Sequence, residues 1–175
     1  MHAKLIAYAQ LLRLDRPVGT LLLGWSTLWG LWLAGHGRPS PLVVFILLLG
    51  TLSTRSLGCA LNDWADRAFD GHVQRTRQRP LAQGALSGTE ALGAAALLAG
   101  LSLLLLLPLN RASGLVALYC LAVLAVYPFC KRFLALPQAV LGLAFAAPIL
   151  MAEVALAGSL SVAGLCLYLA SAVWA

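Results

Sequence analysis

The sequence has little charge for its length. Only 10% of its 175 residues are charged, whereas 61% are hydrophobic and the mean hydropathy is +0.89. The apolar residues come in long runs without charge, at 17–35, 41–54, 91–109, 112–130 and 133–152. A helix needs about 20 such residues to cross a bilayer. This scarcity of charge excludes a soluble globular protein and indicates a chain that lies in a membrane.

The cysteines and histidines of the sequence do not follow the spacing of a metal-binding or catalytic motif. It has no C-x-x-C spacing, no histidine cluster and no serine–histidine or cysteine–histidine arrangement. The cysteines lie in or at the edges of apolar runs and the histidines stand alone: Cys59, Cys120, Cys130, Cys166, His2, His36 and His72. We interpret the cysteines as small packing residues. These patterns offer neither a cysteine–histidine metal site nor an enzyme nucleophile.

The apolar runs predict an all-α fold, a polytopic bundle of about six transmembrane helices. The second run extends to about residue 61 with Arg55 as its one charge, and a sixth run starts near Ser159. Because Gly-His-Gly-Arg-Pro follows the first run, we expect no cleaved signal peptide. We expect residues 1–175 to form a single membrane domain whose one substantial connection is the loop 62–88.

Positive charge is distributed unequally between alternate loops. Nine basic residues fall on one predicted side of the membrane and two, Arg38 and Arg111, on the other. The nine are Lys4, Arg13, Arg16, Arg67, Arg75, Arg77, Arg79, Lys131 and Arg132. Since cytoplasmic loops are enriched in Lys and Arg, we expect the N-terminus and the 62–88 loop to be cytoplasmic. The net charge of +6 then reflects topology, and we expect no nucleic-acid partner.

Three of the six acids lie within eight residues, in the stretch NDWADRAFD at 62–70. If the second span continues as a helix through this stretch, a rotation of ~100° per residue places all three carboxylates within about 60°. Asn62 and Arg55 fall near the same face. The resulting stripe, which we call the acidic stripe, consists of Arg55, Asn62, Asp63, Asp66 and Asp70.

Three carboxylates on one face repel one another and need a cation. The arginines 67, 75, 77 and 79 supply part of that charge, but Mg²⁺ shared between carboxylates and phosphate oxygens suits the set better. The arginines then bind the remaining phosphate oxygens. The alternative is a solvated helix end held by salt bridges. The acids lack the spacing and the closing Glu of an EF-hand.

Arg55 is a charge inside a predicted span, and such a charge by default marks a functional site or an internal partner. It lies on the acidic stripe, roughly 10 Å below Asn62 at ~1.5 Å per residue. An anionic acceptor buried below a diphosphate would need such a cation. A structural pair with Asp66 or a side chain that reaches the membrane surface is the alternative.

A second basic patch, YPFCKR at 127–132, follows the fourth span. Pro128 would break the helix there, leaving Tyr127, Lys131 and Arg132 at the membrane depth of the acidic stripe. An ordinary basic cap after a span is the alternative. The value of the patch lies in its position on the same predicted side.

These stretches together resemble one protein family. RSLGCALNDWADRAFDGHVQRTRQRPLAQG at 55–84 resembles the first aspartate-rich motif, N-D-x-x-D-x-x-x-D followed by R-T-x-x-R-P, of the UbiA family of membrane prenyltransferases. RLDRPVGTLLLGWSTLWGLWLA at 13–34 and YPFCKRFLALPQAVLGLAFA at 127–146 continue the likeness, most of all to its 4-hydroxybenzoate polyprenyltransferase branch. The resemblance implies about nine helices around a central cavity in a bacterial inner membrane.

The resemblance also implies residue roles and a reaction. Asp63, Asp66 and Asp70 match the motif's Mg²⁺–diphosphate acids and Asn62 its leading amide. The remaining matches are to substrate-binding positions, at Arg75, Arg79, Tyr127, Lys131 and Arg132. The implied reaction is the Mg²⁺-dependent transfer of a polyprenyl group from polyprenyl diphosphate to the ring of 4-hydroxybenzoate, a step of ubiquinone biosynthesis.

Several alternatives to this reaction stay open. One is a related enzyme with another acceptor, such as dihydroxynaphthoate or a haem or chlorophyll precursor. Another is a non-catalytic membrane transporter or a remnant that only binds. The family's second aspartate-rich motif, D-x-x-x-D, does not occur before Ala175. We therefore expect this sequence to be the N-terminal part of a longer protein.

Overall fold

The computed structural model consists of seven α-helices in its described part. It describes residues 2–133 and 136–174, without the side chains of residues 124, 125, 127–129, 131–133 and 137. The helices are α1 (His2–Leu11), α2 (Val18–Ala34), α3 (Pro41–Asp70), α4 (Gly88–Leu106), α5 (Arg111–Phe133), α6 (Pro137–Ala157) and α7 (Val162–Trp174). Helices α2 to α7 correspond to the six predicted spans, whereas α1 is an additional short helix that the apolar runs did not reveal.

Three helices contain an apolar stretch of at least 18 residues: Pro41–Asp70, Gly88–Leu106 and Gln138–Ala157. Val18–Ala34, Arg111–Val123 and Val162–Trp174 are apolar but shorter. Large side chains such as Leu97 (79%) and Val173 (89%) remain exposed. In water such surfaces would be unfavourable, whereas in lipid they are expected. The chain is an integral membrane protein.

The helix ends follow from local sequence. Pro41 and Pro137 each occupy a first helical position, where the missing N–H costs nothing. Helix α4 begins with a capping box, in which the Glu90 amide donates to Ser87 Oγ (3.2 Å) and the Ser87 amide donates to Glu90 Oε2 (2.8 Å). Helix α6 ends at Gly158 in the left-handed region, with φ of 74°.

The chain forms two compact units. The first comprises the described residues up to Gly19 together with Leu52–Ser102. Within it, Ser53 Oγ on α3 lies 2.9 Å from Ser102 Oγ on α4, and Ser56 Oγ donates to Leu12 O (3.2 Å) beyond α1. Lys4 of α1 pairs with Glu90 of α4 at 2.6 Å. The helices of this unit are therefore joined by polar contacts near their ends as well as by apolar packing.

The second unit comprises Thr20–Thr51 and the described residues from Leu103 onward. One apolar core joins α2, α3 and α6 through Leu31, Ile46, Leu47 and Ala152. Another joins α6 and α7 through Ala146, Ile149, Leu150 and Tyr168. Close approach of the backbones contributes, since a Cβ on Gly30 would lie 2.8 Å from Ile149 Cα. This division into two compact units does not test the prediction that residues 1–175 form a single membrane domain.

Candidate active site

Helix α3 carries the whole acidic stripe. The helix continues without a break to Asp70, as the spacing of the acids required. Asp63 is 1% exposed and Asp70 6% exposed, whereas Arg55, Asn62 and Asp66 are half-buried. Residues seven apart lie close to one face of an α-helix, so the two buried carboxylates stand one above the other. Of the predicted loop 62–88, the residues up to Asp70 are thus helical.

Arg79 joins the two buried carboxylates. Its Nη1 lies 3.0 Å from Asp63 Oδ1 and 2.8 Å from Asp70 Oδ2, and the Arg79 side chain is only 19% exposed. Arg79 is one of the arginines expected to compensate the acids. One nitrogen atom of Arg79 therefore forms ion pairs with both carboxylates.

Arg13 is a second partner of Asp63, and the sequence reasoning missed it. Its Nη2 donates to both Asp63 oxygens, at 2.9 and 3.0 Å, and its Nη1 donates to Gln10 O at 3.1 Å. The sequence offers a signal in RLDRP at 13–17, which is part of the family resemblance, although Arg13 has no predicted role in the site beyond its charge. Asp63 is therefore held by two arginines that are far apart in sequence.

The backbone of Arg13 is unusual. Its φ is 58°, in the left-handed region that few residues other than glycine adopt. The Leu14 amide donates to Ala9 O (2.9 Å) and the Arg13 amide to Gln10 O (3.2 Å), which is the hydrogen-bond pattern of a Schellman helix end. Glycine is the usual residue at this position of a helix end. An arginine there has a less favourable backbone conformation than a glycine would have.

The loop from 71 to 87 returns Arg79 to the helix end. Thr76, 7% exposed, donates its hydroxyl to Asp70 O at 3.0 Å. The Arg79 amide then donates to Thr76 O at 2.9 Å, and the Ala85 amide to Pro80 O at 2.9 Å. Thr76 is a second residue that the sequence reasoning missed, although it is the threonine of R-T-x-x-R-P. It anchors the turn that carries Arg79.

Among the described residues, the other arginines between positions 67 and 79 form no ion pair with the two buried carboxylates. Arg67 donates to Trp64 O at 2.6 Å, and its guanidinium carbon lies 4.4 Å from the centre of the Trp64 ring. Arg75 and Arg77 are exposed. The structure therefore brings together Asp63, Asp70 and Arg79, and leaves Arg75 at the surface.

Arg55 stands apart from this network. Its Nε is buried and has no hydrogen-bond partner among the described residues. No ion pair between described side chains includes Arg55, so the expected alternative of a pair with Asp66 is not formed in this part of the chain. An arginine with an unpartnered buried nitrogen in a membrane helix is costly unless something binds it.

The second basic patch lies outside the described side chains. Tyr127, Lys131 and Arg132 belong to α5 by their backbone, and their roles stay predictions.

The acidic stripe offers the ligands that Mg²⁺ prefers. Two buried carboxylates contact the same cationic nitrogen, so a cation at that point would have oxygens of both within reach. Among the described residues, no three His, Cys, Asp or Glu side chains are grouped around one point. Mg²⁺ nevertheless requires only one or two protein carboxylates when substrate phosphates supply further oxygens. The residues present therefore fit a Mg²⁺–diphosphate site.

Residues 23–175 match the UbiA prenyltransferase family. The chain belongs to this family. The resemblance found in its motifs is thereby confirmed. Among similar UbiA proteins, the 4-hydroxybenzoate octaprenyltransferase of Nitrosomonas eutropha is 52% identical over 168 residues, 96% of this chain and 59% of that protein. The enzyme of the same name from Polynucleobacter asymbioticus is 48% identical over 175 residues, 100% of this chain and 61% of that protein.

Two solved structures have the same fold as this chain. A structure concerning digeranylgeranylglyceryl phosphate synthase gives a TM-score of 0.83 at 22% identity, covering 98% of this chain and 59% of its own. A UbiA homologue from Archaeoglobus fulgidus, bound to GPP and Mg²⁺, gives a TM-score of 0.77 at 21% identity. The match covers 96% of this chain and 60% of the homologue. The all-helical membrane fold is confirmed. This chain spans about three-fifths of the length of the relatives that it matches.

Proposed function

We propose that this UbiA chain contributes the diphosphate site and the acceptor-binding arginine of a Mg²⁺-dependent 4-hydroxybenzoate polyprenyltransferase. The observation that carries the proposal is the pair Asp63 and Asp70, bridged by one cationic nitrogen of Arg79. The names of the relatives support the acceptor, and the GPP and Mg²⁺ bound to the archaeal homologue support the donor and the metal.

Each residue of the site then has a role in binding the donor. Asp63, Asp66 and Asp70 would hold Mg²⁺, and Asn62 is the leading amide of the same motif. The bound ion would neutralise charge that develops on the departing diphosphate. Diphosphate oxygens compete with Asp63 and Asp70 for Nη1 of Arg79. The planar fork of Arg79 suits such oxygens. The residues predicted to bind the same diphosphate further are Arg75, Tyr127, Lys131 and Arg132.

The chemical step needs no nucleophilic side chain. The bond between the allylic carbon and the diphosphate oxygen breaks, and its electron pair leaves with the diphosphate. The ring carbon beside the acceptor hydroxyl attacks the allylic cation, and the ring then releases the proton from that carbon. The protein's contribution is to position the two substrates, stabilise the leaving group and exclude water.

Arg55 binds the acceptor carboxylate in this proposal. It precedes Asp63 by eight residues of one helix, which corresponds to about 12 Å at ~1.5 Å per residue. That distance separates it from the diphosphate held at Asp63 and Asp70. Its Nε is buried and has no hydrogen-bond partner among the described residues, as expected of an arginine that binds a ligand. A charge-assisted hydrogen bond to a buried carboxylate is worth about 1.5–3 kcal/mol.

The test is the substitution Arg55→Leu, with each substrate varied separately in membranes. We expect the apparent KM for 4-hydroxybenzoate to rise about tenfold or more, since ~1.4 kcal/mol corresponds to one decade. The KM for the polyprenyl diphosphate should barely change. Arg111→Leu removes the same charge from an exposed helix start and serves as the control. A rise in the donor KM alone would assign Arg55 to the diphosphate and remove the main support for the acceptor.

The proposed orientation has the N-terminus and the loop from 71 to 87 in the cytoplasm of a bacterial cell, with the chain in the inner membrane. The nine-to-two distribution of basic residues supports it. A polyprenyl diphosphate reaching Asp63 and Asp70 from the cytoplasmic surface would then keep its long tail in the bilayer.

A further inference from the structure

Gly19 is the second residue of α2, and its backbone conformation does not require glycine. It is absent from the positive-φ residues of the described chain. Glycine inside a helix is about 0.5–1 kcal/mol less favourable than alanine. Neither helix propensity nor conformation therefore explains why glycine stands in the first turn of this helix.

The surroundings of Gly19 supply a reason. The three heavy atoms nearest to the position of an added Cβ all belong to the guanidinium of Arg55. That Cβ would clash with Nη2 and would lie 3.1 Å from both Nε and Cζ. It would therefore face the edge of the guanidinium formed by Nε and Nη2. The missing side chain leaves the room in which this edge lies against the helix.

Other glycines show that this arrangement is specific. A Cβ on Gly30 would lie 2.8 Å from Ile149 Cα, so an alanine there must push one helix backbone away from another. A Cβ on Gly24, five residues further along α2 than Gly19, meets nothing within 4 Å. At Gly19, by contrast, the three nearest heavy atoms all belong to the end of a flexible side chain. An alanine there displaces Arg55 and leaves the helix packing intact.

We propose that Gly19 is a positioning residue, which holds the guanidinium of Arg55 where it binds the acceptor carboxylate. This inference rests on the proposed function of Arg55. The Gly19 backbone faces the Nε–Nη2 edge, where Nε is already buried. In this proposal the carboxylate binds the other edge, formed by Nη1 and Nη2. Bidentate binding depends on alignment, and a displacement of about 1 Å costs up to 10²-fold in rate.

The first test is Gly19→Ala, with Gly24→Ala as the matched control on the same helix. We expect Gly19→Ala to raise the apparent KM for 4-hydroxybenzoate about tenfold, with the donor KM and the melting temperature unchanged. Gly24→Ala should leave all three quantities unchanged. Gly30→Ala should instead lower the melting temperature. A loss of melting temperature in Gly19→Ala like that in Gly30→Ala, or an equal rise of both KM values, would overturn the inference.

A double-mutant cycle distinguishes this inference from the proposed function. In the Arg55→Leu background, Gly19→Ala should have no further effect on the acceptor KM, because the displaced group is already gone. A tenfold effect that disappears in this way is a coupling of ~1.4 kcal/mol. If Arg55→Leu raises the acceptor KM and Gly19→Ala does not, only the role of Gly19 fails. If Arg55→Leu leaves the acceptor KM unchanged, the proposed function fails, and the role of Gly19 with it.

Equilibrium binding provides a readout that does not depend on turnover. Calorimetric titration of the detergent-solubilised protein with 4-hydroxybenzoate alone should show weaker binding by Gly19→Ala than by Gly24→Ala, by the same factor of about ten. Equal binding by the two variants would overturn the inference, because a positioning role acts on the acceptor before any chemistry occurs.

Discussion

The substitution Arg13→Ala tests the ion-pair network of the candidate site. It removes the guanidinium that donates to both oxygens of Asp63, which is 1% exposed. Breaking a buried ion pair costs about 3–5 kcal/mol when the remaining charge is left unpaired. Arg79 still contacts Asp63 Oδ1 at 3.0 Å, so the charge is only partly uncompensated. We therefore expect the free energy of unfolding to fall by about 2 kcal/mol, below that full cost.

The substitution Arg13→Gly separates the ion pair from the backbone strain. Arg13 has φ of 58°, and the left-handed conformation costs an L-residue about 1–2 kcal/mol. Alanine keeps this cost, whereas glycine removes it. Both variants lose the guanidinium equally. Arg13→Gly should therefore be more stable than Arg13→Ala by roughly 1 kcal/mol.

The assay is reversible unfolding in mixed micelles, followed by tryptophan fluorescence, in the absence of divalent cations. Comparison of Arg13→Ala, Asp63→Asn and the double variant gives the coupling energy of the pair directly. A coupling below about 0.5 kcal/mol would show that the two side chains act independently. If Arg13→Gly and Arg13→Ala unfold alike, the left-handed backbone of Arg13 carries no strain. Either result would refute the corresponding part of the reasoning.

Three further predictions concern the metal, the topology and the loop. Asp63→Ala or Asp66→Ala in the complete protein should abolish prenyl transfer in membranes, as chelation of Mg²⁺ should. Unchanged rate and metal dependence in either variant would contradict the metal assignment. In a cysteine-free background, a cysteine that replaces Gln74 should be labelled only from the cytoplasmic side, and one that replaces His36 only from the outside. Labelling at position 74 from the outside would show that the proposed topology is wrong. Thr76→Val removes a buried hydrogen bond worth about 1 kcal/mol and should raise the donor KM several-fold, without affecting the acceptor KM; an unchanged donor KM would show that the loop does not need this anchor.

Local patterns were enough to predict the membrane helices and the acidic stripe. Uncharged runs near the length of a bilayer span must form helices, because a backbone in lipid has to satisfy its own hydrogen bonds. Helices α2 to α7 followed from this requirement. The helical period then placed Asp63 and Asp70 on one face, and α3 does continue to Asp70. A regular helix relates such residues without reference to the rest of the chain.

The short helix α1 did not follow from the same rules. It contains ten residues and includes no uncharged run long enough to cross a bilayer. Isolated helices of this length are marginal in water, so they depend on their contacts. The pair between Lys4 and Glu90, 86 residues apart, is one such contact. Its formation depends on where α4 lies, which no pattern within α1 describes.

The sequence by itself determined which acids share one face of α3, and the tertiary structure decided how they are paired. Arg13 binds an acid 50 residues away, and Arg79 reaches two acids through a turn anchored by Thr76. Gly19 lies against Arg55, which is 36 residues further along the chain. Helical periodicity relates residues within one element, whereas the distance between two elements depends on the packing of every side chain between them. An ion pair or a close contact is made or lost when two groups move by about an ångström. Such distances are therefore fixed only when the whole chain is packed.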